Sequence, residues 1–121
     1  MKKAFTKKLE EYPVYNKAPR GITYKRISVG SSVEPVEVDY APIRKGRKIE
    51  GHRHAKSNAL CFILEGSGTI LLNNKRVKIK KNDVINIPVG TWHEFSASKK
   101  EKLVFLSIQY PPLGDDFIFY R

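Results

Sequence analysis

The stretch LCFILEGSGTILLNNKRVKIKKNDVINIPVG, residues 60–90, decides the fold. Four apolar runs, Leu60 to Leu64, Thr69 to Leu72, Val77 to Ile79 and Val84 to Ile87, are each too short for a stable helix. Between them lie Gly66-Ser67-Gly68, Asn73-Asn74 and Lys81-Asn82-Asp83, and Pro88-Val89-Gly90 closes the series. These separators carry turn chemistry, so the runs read as strands. Asn73-Asn74 predicts a tight hairpin, because asparagine tolerates positive φ better than most residues. Arg76, Lys78 and Lys80 alternate with Val77 and Ile79, the pattern of a strand with one wet face.

The same period extends outward from this stretch. Val36, Val38 and Tyr40 alternate with Glu37 and Asp39, predicting a half-buried strand whose apolar set is packed. Leu103 to Tyr110 forms a last long strand, ended by Pro111-Pro112-Leu113-Gly114. Phe117 to Tyr120 then resume an apolar run suited to covering a barrel edge or pairing with a neighbour. Near the beginning, Phe5, Leu9 and Tyr12 share one side of a short helix that Pro13 would stop. Many short strands without intervening helices define an all-β sandwich or barrel. We expect one domain, with residues 1–30 as an N-terminal arm and edge strand and residues 31–121 as the barrel.

A chain of 121 residues with 40% hydrophobic content has enough apolar surface for one packed core. No apolar run reaches the roughly 20 residues of a membrane-spanning helix. The charges after Phe5 (Lys7, Lys8, Glu10, Glu11) leave no room for the apolar part of a signal peptide. The single cysteine, Cys61, has no internal partner, which predicts a reducing cytoplasm. A net charge of +11 favours anionic partners. The basic residues are spread along the chain without interleaved aromatics, however, so a small anionic ligand is the expectation and nucleic acid is not.

There are three histidines. His52 and His54 are two apart, which on a strand places both imidazoles on one face. His93 follows the Pro88-Val89-Gly90 turn at the start of another strand, where antiparallel pairing would bring it opposite. Three imidazoles converging on one point form an open site for a divalent first-row ion: iron, zinc, nickel, manganese or copper.

The residues around these histidines resemble the two motifs of the cupin superfamily. The first family motif is Gly, five residues, His-x-His, three or four residues, Glu, six residues, Gly; the chain offers Gly46, His52-Arg53-His54 and Gly66. The second is Gly, five residues, Pro-x-Gly-x-x-His, three residues, Asn; the chain offers Asn82 and Pro88-Val89-Gly90-Thr91-Trp92-His93. The match runs from Gly46 to Ala97 and implies a double-stranded β-helix, or jelly-roll, barrel. It also implies that His52, His54 and His93 ligate one divalent transition metal per chain.

Three positions depart from the pattern. Ala59 stands where the family places its glutamate ligand, Asn82 replaces a glycine at a turn it can still make, and Ala97 replaces the closing asparagine. Asn58 and Glu94 alternate outward and cannot substitute for the glutamate. Cys61 shares the inward face of Ala59, either as a fourth ligand or as a small buried thiol. Cys61, Ile63, Leu72 and Phe95 are the expected pocket-lining residues. Arg53 and Lys56, near the first motif, would serve mainly as solvated charges.

Without the glutamate, the ion's +2 charge is uncompensated by protein and favours an anionic or chelating ligand. This resembles the three-histidine cupins that act as thiol and diketone-cleaving dioxygenases, and it implies metal-dependent oxidation of a small acid or chelator. The alternatives are a metal-dependent isomerase, lyase or decarboxylase, or a non-catalytic barrel that binds a small metabolite. Proton-transfer chemistry would need a base, and no inward carboxylate is evident near the motifs; Tyr24, Tyr40 and Tyr110 are the remaining candidates. The resemblance also implies a homodimer paired through edge segments, Ile22 to Val29 or Phe117 to Tyr120.

Overall fold

The computed structural model describes residues 4–28 and 35–121. The described residues form seven strands: β1 (Lys25–Ser28), β2 (Glu37–Ile43), β3 (Asn58–Leu72), β4 (Lys75–Lys80), β5 (Val84–Ile87), β6 (His93–Ala97) and β7 (Leu103–Tyr110). All the pairings between these strands are antiparallel. The expected division at residues 30 and 31, and Val29 of the expected edge strand, lie outside the described residues.

One strand organises the barrel. The first part of β3 pairs with β7 on one side and β5 on the other, while its second part, from Ser67 onward, pairs with β4 and β6. Gly66-Ser67-Gly68 is therefore not the turn that composition suggests; it is the middle of a 15-residue strand. The register against β7 shifts between Ile63 and Glu65, a bulge that redirects the strand from one sheet to the other. The two glycines are needed because neighbouring backbone comes close. A Cβ on Gly66, whose φ is +84°, would lie 1.7 Å from the Lys102 carbonyl oxygen, and one on Gly68 would lie 1.9 Å from that of Ser96.

The other turn assignments follow their chemistry. Asn73 adopts φ 52° at the β3–β4 hairpin, and Asn82 adopts φ 76° between β4 and β5. In β4, Arg76, Lys78 and Lys80 are exposed while Ile79 is buried. Ile43, Ile63, Ile70, Ile87 and Leu103 are among the most deeply enclosed side chains and fill the interior.

Two further expectations are overturned. The N-terminal helix reduces to a single 3-10 turn, Leu9–Glu11, with no buried residue, and Phe5 is 76% exposed. Leu9 and Tyr12 are only half-buried, and so short a helix does not hold by itself. The second reversal concerns β2, whose faces are swapped. Glu37, Asp39, Ala41 and Ile43 point inward, while Val36 is exposed and Val38 and Tyr40 are half-buried on the outside. The cause is Arg26 on the neighbouring strand. Its Nη2 lies 3.2 Å from Glu37 Oε2 and its Nε 3.0 Å from Asp39 Oδ1, so the carboxylates enter the interior with a counter-charge.

Candidate metal centre

His52 and His93 face each other across an isolated antiparallel bridge, with His52 N donating to the His93 carbonyl at 3.1 Å and the reverse bond at 2.9 Å. The Pro88-Val89-Gly90 turn is tied to the first motif, since Gly90 N donates to the His54 carbonyl at 2.8 Å. Gly90 has φ 82°, so the motif's glycine meets a backbone requirement there. These bonds bring the three imidazoles together. Ring centroids lie 4.3 Å apart for His52–His93, 4.8 Å for His54–His93 and 5.2 Å for His52–His54.

The nitrogen chemistry fits a metal ion. His52 Nδ1 donates to the Glu50 carbonyl at 2.8 Å and His93 Nδ1 to the Thr91 carbonyl at 2.9 Å. That tautomer leaves the Nε2 lone pair bare and aims the ring, the usual arrangement behind a histidine ligand. His54 is buried with neither ring nitrogen hydrogen-bonded, an uncompensated cost unless something binds there. One nitrogen from each ring lies within 4.8 Å of the others. Small ring rotations reduce that to the separation of about 3–4 Å between ligands on one first-row ion. Burial lowers the pKa of all three: His93 well below the usual value, with His52 and His54 adding to the effect, and His54 to about 4. Neutral imidazoles are the ligating form.

Among the described residues this cluster contains histidines alone. Cys61 does not join it. Its Sγ donates to Ser107 Oγ at 3.5 Å, and burial pushes the thiol up to about 12, so it stays protonated. Asn58 and Glu94 turn outward as expected; Asn58 Oδ1 accepts from Val89 N and Glu94 lies 3.6 Å from Lys48 Nζ. Arg53 turns away too, onto the Tyr120 ring.

The histidines line a cavity of about 430 Å3 of atom-free space, solvent at its mouth included. Cys61 and Phe95 belong to its wall. Ile63 does not: it is fully enclosed in the core, one rung further along β3 near the bulge. Leu72 also stands apart, at the far end of β3 beside His93, beyond the bend. Of the tyrosines, Tyr24 reaches the wall, whereas Tyr40 and Tyr110 lie on the outer surface.

The wall also holds groups that the sequence reading passed over: Asp39, Ser107 and Gln109. The reversed face of β2 thus supplies the inward carboxylate thought to be missing. Their register is direct, with Asp39 opposite Ser107 and Ser107 opposite Cys61, and with Glu37, Gln109 and Ala59 on the adjacent rung. Gln109 Nε2 donates to Asp39 Oδ2 and to the Glu37 carbonyl, both at 3.2 Å, and its Oε1 accepts from Ser107 Oγ; the opposite amide orientation would set oxygen against oxygen. Burial raises the Asp39 carboxyl to about 7 against the pull of Arg26, with Glu37 adding to the rise. A signal was present in the sequence: Glu37-x-Asp39 and Ser107-x-Gln109 are polar pairs at period two, the same spacing as His52-x-His54.

The segment after β7 closes the mouth. Arg53 and Ile118 exchange two backbone hydrogen bonds, each 2.9 Å. Phe117 sets its ring edge-on to His52 and His54, at 5.3 and 5.9 Å between centroids. Asp116 accepts from the backbone N–H groups of Ala55, Lys56 and Ser57 at 2.9, 2.8 and 3.3 Å. Burial works to raise its pKa, but these three bonds outweigh it and hold the carboxylate ionised. Of the two roles expected for Phe117 to Tyr120, the structure shows the first: the segment lies along the barrel edge, paired at Ile118 with Arg53 of the same chain.

With fold and site described, the comparisons with known proteins agree. The family model for the cupin domain matches residues 40–109, and the chain belongs to that family. An uncharacterised protein of Methanocaldococcus jannaschii is 37% identical over 71 residues, which cover 59% of this chain and 57% of that protein. Among solved structures, a cupin-2 domain protein of Rhodospirillum rubrum has a TM-score of 0.68 at 25% identity, covering 82% of this chain and 66% of that one. An uncharacterised Klebsiella pneumoniae protein with a double-stranded β-helix domain has a TM-score of 0.76 at 17% identity, covering 98% and 99%. The chain thus spans under two thirds of the first two relatives. Among the described residues no helix is long and apolar enough to cross a membrane.

The buried groups predict how the metal-free protein responds to acid. The histidines bind protons more weakly folded than unfolded, so their contribution to stability is present above their ordinary pKa of 6.5 and is lost as pH falls below it, for His54 down to about 4. Asp39 has the opposite sign: its raised value makes folding less favourable as pH rises from about 4 to about 7. Three groups outweigh one, so the urea midpoint should fall between pH 6.5 and 4. In a His54→Asn variant that fall should be shallower; an unchanged slope would refute the assignment.

Proposed function

We propose that this chain is a metal-dependent enzyme acting on a small molecule, with oxidation by dioxygen as its first reaction class. The observation that carries the reading is the set of three buried, neutral imidazoles, one with both nitrogens unpartnered, at the wall of an otherwise largely apolar cavity. His52, His54 and His93 would hold one divalent first-row ion, which supplies Lewis acidity and, if it is iron, a site for dioxygen. The chain's own residues do the rest. Phe95, Phe105 and Phe117 exclude water, and the Glu50 and Thr91 carbonyls orient the imidazoles. Both atoms of dioxygen would end in the product, so no external reductant is required. Cys61, kept as a buried thiol, accords with a reducing cytoplasm.

Asp39 favours a second reading. A carboxyl near pKa 7 in the same cavity suits proton transfer, the requirement of a metal-dependent isomerase, lyase or decarboxylase. The test loads metal-free protein with ferrous iron under anaerobic conditions and follows oxygen uptake across thiols, β-diketones and small acids. Uptake with one class, absent in His93→Ala, supports oxidation. Product formed without oxygen supports proton transfer, and a metal-loaded protein inert throughout supports a binding role.

A second copy of the chain is the proposed partner, docked through a sheet face and not through an edge. Two outward rungs, Val38–Ile108–Leu60 and Tyr40–Leu106–Phe62–Val84, carry no charge across β2, β7, β3 and β5; Lys25 of β1 continues the second rung at its edge, with Nζ donating to the Leu9 carbonyl at 3.1 Å. Phe62 and Val84 are 39% and 54% exposed. On a chain of net charge +11 this neutral face offers nothing to a charge-matched partner, while a second copy meets it with the same apolar surface and no like-charge contact. Light scattering after size exclusion should give a dimer, and Phe62→Glu with Leu106→Glu should give a folded monomer. A monomeric wild type would remove the proposal.

A further inference from the structure

Nothing above says what kind of molecule the cavity takes, and its walls are chemically divided. The histidine end is a set of neutral nitrogen ligands suited to a cation, and His54, 4% exposed with both ring nitrogens unpartnered, lines this space. The middle is apolar, built from residues such as Ile22, Ile49, Ile87 and Phe105. The polar patch comes from β2 and β7. There Asp39, 2% exposed, holds Arg26 Nε with one oxygen and the Gln109 amide with the other. A carboxylate offers about four lone-pair positions, so these two bonds leave acceptor capacity free. Arg26 is shared with Glu37, so one guanidinium faces two buried carboxylates and the patch is short of positive charge. Ala59 stands on the rung beside Cys61, directly opposite Gln109. Its methyl group leaves open the space that a longer side chain there would fill, so the metal end and the polar patch share one cavity.

We propose that the cavity selects a small carboxylic acid whose other end carries a hydrogen-bond donor, hydroxyl or ammonium, with a short aliphatic spacer between, and that Asp39 accepts that donor. The inference rests on the metal-centre reading above: the ligand's carboxylate goes to the ion, and its spacer lies along the apolar wall. Ligands of this shape satisfy both ends, whereas a methyl-tipped acid of equal length leaves its apolar tip against the unused acceptor positions of Asp39.

Cobalt(II)-loaded protein tests this, because the visible spectrum of the ion reports a carboxylate arriving at it. Butyrate is compared with 3-hydroxypropionate and 3-aminopropionate, and valerate with 4-hydroxybutyrate and 4-aminobutyrate. At least one donor-tipped acid should bind roughly 10-fold or more tightly than its methyl-tipped counterpart, the scale of a hydrogen bond to a charged group. In Asp39→Asn the amide oxygen remains with Arg26 and an N–H2 group replaces the oxygen that accepts from Gln109 and the ligand, so the preference should fall below about 3-fold while cobalt stoichiometry stays unchanged. Equal binding of both kinds of acid, or a preference that survives Asp39→Asn, overturns the proposal, and the wild-type comparison decides even if the variant does not fold. Failure to take up cobalt removes the metal centre as well; uptake without discrimination removes only the ligand assignment.

Discussion

His93→Ala is expected to empty the metal site. Elemental analysis of the purified wild type should give about one first-row ion per chain, and the variant should retain almost none. His93 is 3% exposed, its Nε2 is freed by the Nδ1 bond to Thr91, and the ring is centred within 4.8 Å of both others. Removing an oriented ligand should cost more than the roughly 10- to 100-fold in affinity lost when only a supporting hydrogen bond is removed. The fold should persist, since the His52–His93 bridge is made by backbone atoms that alanine keeps. A variant that binds metal as the wild type does would refute the centre.

Arg26→Met should produce the largest loss of stability. The substitution keeps an unbranched apolar side chain but leaves Glu37 and Asp39, 1% and 2% exposed, without their shared cation. Breaking a buried ion pair from one side costs about 3–5 kcal/mol. For a chain of this size that is a fall in melting temperature of roughly 10–20 °C near neutral pH. The loss should shrink on moderate acidification, because protonating Asp39, whose pKa burial raises to about 7, removes part of the uncompensated charge. A melting temperature within about 2 °C of wild type at pH 7.5 would mean that the cluster is solvated and that the swapped face of β2 has another cause.

The three histidines, the hairpin at Asn73 and the turn at Asn82 were legible in the sequence because each is local. A two-residue spacing sets a shared face, and a positive φ selects its residue type. What escaped depended on partners distant in the chain. Glu37 and Asp39 look like a wet face until Arg26 is known to sit beside them, and hydropathy alone then assigns β2 the wrong way round. Gly66-Ser67-Gly68 looks like a turn because composition cannot distinguish a glycine needed for chain reversal from one needed to pass close to Lys102 and Ser96. The placement of Phe117 over His52 depends on Ile118 pairing with Arg53, a contact that no local pattern encodes. The histidine cluster was therefore readable in advance, and the opposite wall was not.

The Asp116 clasp joins two processes that would otherwise be independent. Its carboxylate holds the backbone immediately after His54, and its neighbour Phe117 covers the imidazoles. Displacing this segment would free the mouth and the backbone after His54 together, so access to the cavity and the placing of that imidazole draw on one local opening equilibrium. Amide hydrogen exchange at Ile118 would read that equilibrium directly, slowing when the centre is filled.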